Sequence, residues 1–307
     1  MKAKIIVVLL TIAVFAAFVS CSSLAEIAGV GAQIAGAAGV IDKNTADAIS
    51  KSSAALGSAA EEITPEQEYY IGRAVGANIL STYKLWNGNQ NLTIYLNLIC
   101  NAIVINSPRP NIYNGYHVAI LDSNEINAFA TSGGHIFVTR GLISAAKSED
   151  ALAGVIAHEI AHIQLKHSIK AIKTSRITQA LLVTGTSAAG VAAGAAGGMN
   201  INQLTDVFNE SIGEIITTLV NNGYSRDQEY DADNTALSLL ASAGYSPSGL
   251  LDMLKELNRV QSGRAGGFNK THPTPELRIA NAEKSIGKHR VADNRIHRQI
   301  RFSAVVK

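Results

Sequence analysis

The sequence predicts an α+β fold, mostly helical with a small β-sheet. Apolar residues recur at helical spacing over long stretches, whereas residues 117–139 hold short runs typical of strands. Hydrophobic residues make up 47% of the 307 residues, which is enough for a sizeable core. This length fits one large domain or two modest ones, and disorder throughout the chain is excluded.

The first long helix is predicted to begin after Thr64, which precedes a proline and a glutamate. Threonine is a favoured N-cap, and proline and acids are favoured in the first turn. A later apolar run contains Cys100, which we predict to be a buried thiol. Strand-like runs at 118–121 and 135–139 follow, with a turn predicted at 131–134 between extended segments.

The N-terminus has the layout of a secretory signal, with two lysines before an uncharged apolar run at 5–19. We interpret residues 1–20 as a lipoprotein signal peptide, because Phe18-Val19-Ser20-Cys21 resembles a lipobox, in which the cysteine becomes the acylated first residue. Phe18 departs from the preferred leucine, and ordinary cleavage is the alternative. Ser22 follows Cys21, and by resemblance to lipoprotein sorting the absence of aspartate at that place favours the outer membrane. A lipid anchor at Cys21 would hold the protein on the bilayer, facing the periplasm.

The rest of the chain divides into a tether at 21–62, a globular domain at 63–287 and a basic tail at 288–307. The tether is rich in Ala, Gly and Ser and can bury little surface. Residues 177–205 carry no charged side chain, and we interpret them as a lid-like or packing segment in preference to a re-entrant membrane contact. The tail is expected to be solvated, with docking to anionic lipid or protein as the alternative. The net charge of +2 argues against nucleic acid as a partner.

The strongest chemical signal is His-Glu-Ile-Ala-His at residues 158–162, in a helix predicted to start near Ser148. Four-residue spacing places His158 and His162 one turn apart on one face, where both imidazoles can bind one Zn²⁺. Glu159 lies beside them and is predicted to be the general base that deprotonates the attacking water. Two core histidines beside a surface glutamate are the ordinary alternative.

A catalytic zinc usually has three protein ligands, so one ligand is missing from this motif. Glu229 is the favoured candidate, with Asp233 one turn later to accept the second N–H of a zinc-bound imidazole. Glu210 and Glu214 show the same spacing, so the residues alone leave the choice open. His167 falls off the ligand face and is predicted to end the helix or to support a ligand.

From about residue 64 to 282, the chain resembles the gluzincin peptidases related to the heat-shock protease HtpX and the CAAX prenyl proteases, especially their soluble bacterial lipoprotein branch. Four ordered motifs carry the resemblance: Asn127-Ala128-Phe129 with Gly133-Gly134 and Gly141-Leu142, the HEIAH helix with His167-Ser168, Ser225-Arg226 before Glu229 with Ala232-Asp233, and His272-Pro273 with Arg278.

The resemblance implies a gluzincin-type zinc metallopeptidase domain at 63–287, with one Zn²⁺ per chain and Glu229 as the third ligand. It also implies that His272 stabilises the transition state or occupies the zinc in resting forms. Arg278 is implied to lie near the ligand glutamate. The chain lacks the multiple transmembrane helices of the membrane-embedded members, so prenylated substrates are not implied.

Together these features predict a zinc-dependent endopeptidase that cleaves polypeptides, namely unfolded or misassembled cell-envelope proteins. An extended substrate is expected to add to the strand near residues 136–138, if that strand lies at a sheet edge. The alternative is a periplasmic chaperone or assembly factor with a zinc site and little turnover. Intact Glu159 argues against this alternative, whereas His272 as a permanent fourth ligand would favour it. A zinc amidase acting on cell-wall peptides shares the metal chemistry but not the ordered motifs.

Overall fold

The computed structural model describes residues 63–170, 223–261, 267–272, 275–289, 291 and 295–306, with scattered positions in 30–50 and 213–217. The predicted signal peptide, Cys21 and the uncharged segment 177–205 lie outside the described residues. Among the residues described, no helix has both the length and the apolar character needed to cross a membrane.

The chain divides into two compact units. The first comprises residues 1–62 and 172–206, and the second comprises 63–171 and 207–307. In the first unit, the side chain of Gln33 donates a hydrogen bond to Asp47. All the elements named below belong to the second unit.

The second unit is mostly helical with one small sheet, so the predicted α+β class is confirmed. Its elements follow one another in this order: α1 (Pro65–Thr82), α2 (Gln90–Val104), β1 (His117–Leu121), β2 (Ala128–Thr131), β3 (His135–Thr139), α3 (Arg140–Ala145), α4 (Glu149–Gln164), α5 (Arg226–Ser242), α6 (Ser248–Gln261), α7 (Phe268–Thr271), α8 (Pro275–Ile286) and α9 (Arg295–Val305).

Side-chain caps define where the long helices begin. Thr64 and Gln67 form a capping box at α1, in which each side chain accepts a hydrogen bond from the backbone N–H of the other residue. Ser225 and Gln228 form the same box at α5, and Ser148 caps α4. The predicted starts at Thr64 and Ser148 are confirmed.

The three strands form one sheet in the order β1-β3-β2. β3 pairs with β1 in parallel and with β2 antiparallel, so both of its edges are used. The expectation that residues 136–138 lie at a sheet edge is therefore wrong. Their continuous apolar sequence, Ile-Phe-Val, suits a strand enclosed on both sides. The turn at 131–134 is confirmed, with Gly133 and Gly134 at φ 76° and 94°.

Helix α4 lies at the centre of the second unit, in contact with α2, α5, α6, α9 and β2. Every residue from Glu149 to Ile163 is buried, so this helix has no solvent face. Its contact with α6 is close, because a Cβ atom on Gly154 would lie 2.7 Å from the backbone N and Cα of Leu250. Cys100 on α2 is fully buried as predicted, and burial raises the pKa of its thiol to about 12.

The C-terminal helix α9 docks against the start of α4. Arg298 and Phe302 are buried, and Arg298 Nε donates to Asp150 at 3.0 Å. Arg301 Nε donates to Glu149 at 3.1 Å. The expectation of a solvated tail is therefore wrong for Arg298 and Phe302, whereas most of the other side chains of α9 are exposed to solvent. Arg298 and Arg301 neutralise the two acids that are buried in the first turn of α4. This charge pairing explains why α9 packs against the core although its sequence is basic.

Replacement of Gly154 by alanine should lower the free energy of unfolding by about 1–3 kcal/mol, because the added methyl group meets backbone atoms that cannot move aside. Urea denaturation measures this change. Gly76→Ala in α1 is the matched control, since its methyl would meet only the movable ring of Phe137, at 3.2 Å. Equal stability of the two variants would contradict the close approach of α4 and α6.

Arg298→Ala should destabilise the protein by about 3–5 kcal/mol, because it leaves the carboxylate of Asp150 buried without its cation. The neighbouring exposed residue provides the control, Gln299→Ala, which should change the free energy of unfolding by no more than about 0.5 kcal/mol. If both variants unfold at the same urea concentration as the wild type, α9 does not dock as described.

Candidate metal centre

Helix α4 carries three of the predicted site residues. His158 and His162 lie one turn apart on one face, and their Nε2 atoms are 3.0 Å apart. Glu159 lies beside them, and all three side chains are buried. The helix therefore presents two imidazole nitrogens and a carboxylate at one place in the core.

Helix α5 brings two carboxylates to these histidines. The oxygens of Glu229 lie 3.5 Å from the Nε2 atoms of His158 and of His162. One turn later, Asp233 Oδ1 lies 2.9 Å from His158 Nδ1. Asp233 is predicted to accept a hydrogen bond from a zinc-bound imidazole, and this position allows it. When Nε2 of His158 binds a metal, its Nδ1 carries the hydrogen and donates it in a hydrogen bond to a nearby acceptor.

His272 enters the site from the end of the short helix α7. Its Nδ1 lies 3.0 Å from Glu229 Oε1 and 3.3 Å from His158 Nε2. Its Nε2 lies 3.5 Å from Glu159 Oε1. One ligand atom from each of four residues, His158, His162, Glu229 and His272, lies within 4.8 Å of the other three.

Arg278 on α8 is a fully buried guanidinium that contacts both carboxylates of α5. Its Nη1 lies 2.9 Å from Glu229 Oε2, and its Nε and Nη2 donate to Asp233 at 2.8 and 2.7 Å. Burial alone would raise the pKa of both acids, but the guanidinium and the nearby imidazoles hold the pKa of Glu229 well below its usual value. Arg278 likewise lowers the pKa of Asp233, so both carboxylates are held in their charged form.

The buried charges fit a divalent cation. Glu159, Glu229 and Asp233 carry three negative charges when ionised, and Arg278 supplies one positive charge, which leaves two negative charges uncompensated. Among the residues described, both oxygens of Glu159 have no hydrogen-bond partner, and the Oε2 of Glu229 is paired with Arg278 alone at a distance as short as 2.9 Å. Two imidazole nitrogens and a carboxylate oxygen are ligands that Zn²⁺ favours. The residues present therefore fit a zinc ion.

Glu159 differs from the other two acids in its surroundings. Burial raises the pKa of its carboxyl group, an effect that the neighbouring His272 and His158 partly offset. A buried carboxylate with a raised pKa holds a proton more readily than an exposed one, which suits a group that must accept and return a proton. This property matches the role of general base that the sequence predicts, although the role itself stays a prediction.

Three further aromatic rings line the site. Tyr224 stacks on His162, with ring centroids 4.1 Å apart, and Phe268 stacks on His272 at 4.3 Å. No sequence pattern assigns Tyr224 or Phe268 a role, and the signal that could have found them is their proximity along the chain to Glu229 and His272. His167 Nδ1 lies 2.8 Å from His162 Nδ1, in agreement with the predicted supporting position. Burial lowers the pKa of His167 to about 4, so its ring is neutral near pH 7.

The structure thus brings together His158, Glu159, His162, Glu229, Asp233, His272 and Arg278. Their proposed roles remain predictions. The competing candidates Glu210 and Glu214 lie outside the described residues, as does the predicted lipidation site, Cys21. The preference for Glu229 therefore rests on its own position beside both histidines.

A buried helix with an HExxH motif, joined by a glutamate from a second helix, defines a metallopeptidase of the gluzincin type. Comparison with known proteins agrees, since residues 94–286 match Peptidase family M48. This match spans more than half of the chain. The chain belongs to Peptidase family M48, which confirms the predicted family relationship and the predicted class of enzyme, a metallopeptidase.

Several curated relatives are similar at modest identity. The chain is 26% identical over 225 residues to the beta-barrel assembly-enhancing protease of Escherichia coli K12, covering 73% of the chain and 43% of that protein. It is 31% identical over 151 residues to the metalloprotease LoiP of the same organism, covering 49% of the chain and 55% of LoiP. The mitochondrial metalloendopeptidase OMA1 of Schizosaccharomyces pombe is 28% identical over 194 residues, covering 62% of the chain and 52% of OMA1. The chain spans about half the length of the curated relatives it matches.

Arg278→Leu should destabilise the metal-free protein by about 3–5 kcal/mol, because it leaves Glu229 and Asp233 buried beside each other without a cation. Urea denaturation in the presence of a chelator measures the change. Arg259→Leu is the matched control, because that arginine also pairs with an acid but its side chain is 67% exposed. Equal losses in the two variants would show that Arg278 does not compensate the buried acids.

Proposed function

We propose that the protein is a zinc-dependent endopeptidase that cleaves unfolded or misassembled proteins of the bacterial cell envelope. The observation that carries this proposal is the cluster of His158, His162 and Glu229 around one point, with Glu159 beside them. A purely structural zinc site has no use for a buried carboxylate that has no hydrogen-bond partner among the described residues. One Zn²⁺ per chain is proposed, because the described part of the chain holds one such cluster.

The residues of the cluster divide the chemistry among them. When bound by His158, His162 and Glu229, zinc supplies a Lewis acid for peptide hydrolysis. Glu159 accepts the proton of the attacking water and returns it to the leaving amine. His272 Nε2, 3.5 Å from Glu159, is placed to donate a hydrogen bond to the oxyanion that develops on the substrate.

Two residues hold this arrangement in place. Asp233 accepts from His158 Nδ1, which leaves His158 Nε2 free to bind the metal. Arg278 holds Glu229 and Asp233 in their ionised forms through charge-assisted contacts of 2.7–2.9 Å. Both act on the ligands and neither needs to touch the substrate.

Polypeptides are the proposed substrates, and the sheet offers a place for them to bind. β3 is central, and the free side of β1 is partly occupied because Trp86 N–H donates to the carbonyl of Ile120. β2 is the remaining edge, and it packs against α4. All four β2 residues are buried, so an extended substrate that pairs with β2 through backbone hydrogen bonds must first displace what covers this edge. Such pairing would recognise polypeptides with little sequence selectivity.

The location proposed for this activity is the periplasmic face of the outer membrane, with the lipidated Cys21 inserted in the bilayer. The layout of residues 1–20 and the lipobox-like sequence ending at Cys21 support this location. One relative is named for enhancing the assembly of beta-barrels, a name that fits an envelope substrate.

A periplasmic chaperone or assembly factor with little turnover is the second candidate. One observation favours it, because His272 lies close enough to the other three ligand atoms to complete a set of four. A fourth protein ligand would close the position that a substrate needs. Cleavage therefore requires His272 to leave the ligand set, whereas a chaperone would keep it there.

Glu159→Gln should reduce the cleavage of casein by a factor of about 10²–10⁴ while the zinc content stays unchanged, because the amide cannot accept the proton of water. The measurements are gel-based cleavage and metal analysis of the purified protein. Glu283→Gln on α8 is the control, because this glutamate is half exposed and lies outside the site. It should cleave casein like the wild type.

Two outcomes would contradict the peptidase proposal. One is equal cleavage by the wild type and Glu159→Gln at equal zinc content, which would remove Glu159 as the base. The other is a zinc-loaded wild type that cleaves nothing but suppresses aggregation of an unfolded outer-membrane protein, which would favour the chaperone.

A further inference from the structure

The two histidine ligands differ in what lies behind them. His158 Nδ1 faces a carboxylate, that of Asp233, at 2.9 Å. His162 Nδ1 faces another imidazole, since His167 Nδ1 lies 2.8 Å away. In each ring Nε2 is the nitrogen turned towards the other ligand atoms, so Nδ1 is the nitrogen that must carry a hydrogen when the ring binds a metal.

The position of His167 depends on a break in the helix. In a continuous helix, a residue five places after His162 would point about 140° away from it. Helix α4 ends at Gln164, and Lys166 then adopts the left-handed conformation with φ 56°. This turn brings the ring of His167 back beside His162, with centroids 4.9 Å apart.

A cluster of charges supports this break. The Nζ atom of Lys166 pairs with the buried carboxylate of Glu68 on α1. The same carboxylate pairs with Arg109, whose Nη1 donates to the carbonyl of Gln164 at 3.3 Å. The end of α4 is therefore held by contacts from two other segments, and the unusual conformation of Lys166 has a physical cause.

We propose that His167 is a positioning residue for the metal ligand His162. Its Nδ1 accepts the Nδ1–H of His162, which requires His167 to be neutral with its own hydrogen on Nε2. This contact fixes both the tautomer and the ring angle of His162, while Tyr224 stacks on the ring at 4.1 Å. The inference rests on the proposed metal site and assigns this role to a residue outside the ligand set.

The two ligands are consequently unequal. A charged acceptor behind His158 raises the basicity of that imidazole more than the neutral acceptor behind His162 does. His162 is then the more weakly held of the two ligands, and the acceptor at position 167 decides how well it binds.

The test compares zinc affinity in variants at position 167 by chelator competition, a measurement that does not depend on catalysis. His167→Leu fills the buried position with an apolar side chain and removes the hydrogen-bond acceptor. It should weaken zinc binding about 10–100-fold. His167→Gln retains an acceptor oxygen and should bind zinc more tightly than His167→Leu. His135→Leu is the matched control, because it removes a partly buried imidazole that packs against Tyr69 on α1, and it should leave the affinity unchanged.

Each result has one meaning. Equal zinc affinity of the wild type and His167→Leu would overturn the role of His167 and leave the proposed peptidase intact. An equal loss of zinc affinity in His167→Leu and His167→Gln would show that His167 contributes only by packing, and it would overturn the proposal as well. A wild type that binds no zinc would overturn both this inference and the metal site on which it rests.

A measurement on the wild type decides the matter even if His167→Leu does not fold. In the zinc-loaded protein labelled with ¹⁵N-histidine, NMR should show the hydrogen of His162 on Nδ1 and that of His167 on Nε2. A hydrogen on Nδ1 of His167 would place two donors face to face and would overturn the proposal.

Discussion

Three carboxylates and one guanidinium are buried together between helices, and the rest of the structure has to accommodate them. Buried charges are strongly unfavourable unless they are paired and hydrogen-bonded. Arg278 pairs with Glu229 and Asp233, and the imidazoles of α4 contact the same acids. The arrangement holds only if α4, α5 and α8 keep fixed positions, so the close packing of these helices is a condition for the site.

Much of the site follows from short-range regularities of the sequence. The spacing of His158 and His162 determines that both imidazoles share a face in any helix. The same argument places Asp233 one turn after Glu229. These features depend on residues within a few positions of one another, which is why sequence reasoning reached them without a structure.

Other features depend on partners that are distant in the chain. β3 is central because it pairs with β1 on one side and with β2 on the other, and strand order is not encoded in any local pattern. The basic residues at the C-terminus resembled a solvated segment, because their acidic partners lie about 150 residues earlier. His167 also reaches His162 only because Lys166 leaves the helical conformation, and no spacing rule indicates that step.

The pairing of Asp150 with Arg298 joins residues that are 148 positions apart. A ribosome adding about 5–20 residues per second needs roughly 7–30 s to make the chain between them. For most of that interval the HExxH motif has already been made, but the first turn of its helix lacks the cation that compensates its buried acid. The order of synthesis therefore delays completion of the central helix until almost all of the catalytic sequence has been made, and an unfinished chain lacks a fully supported site.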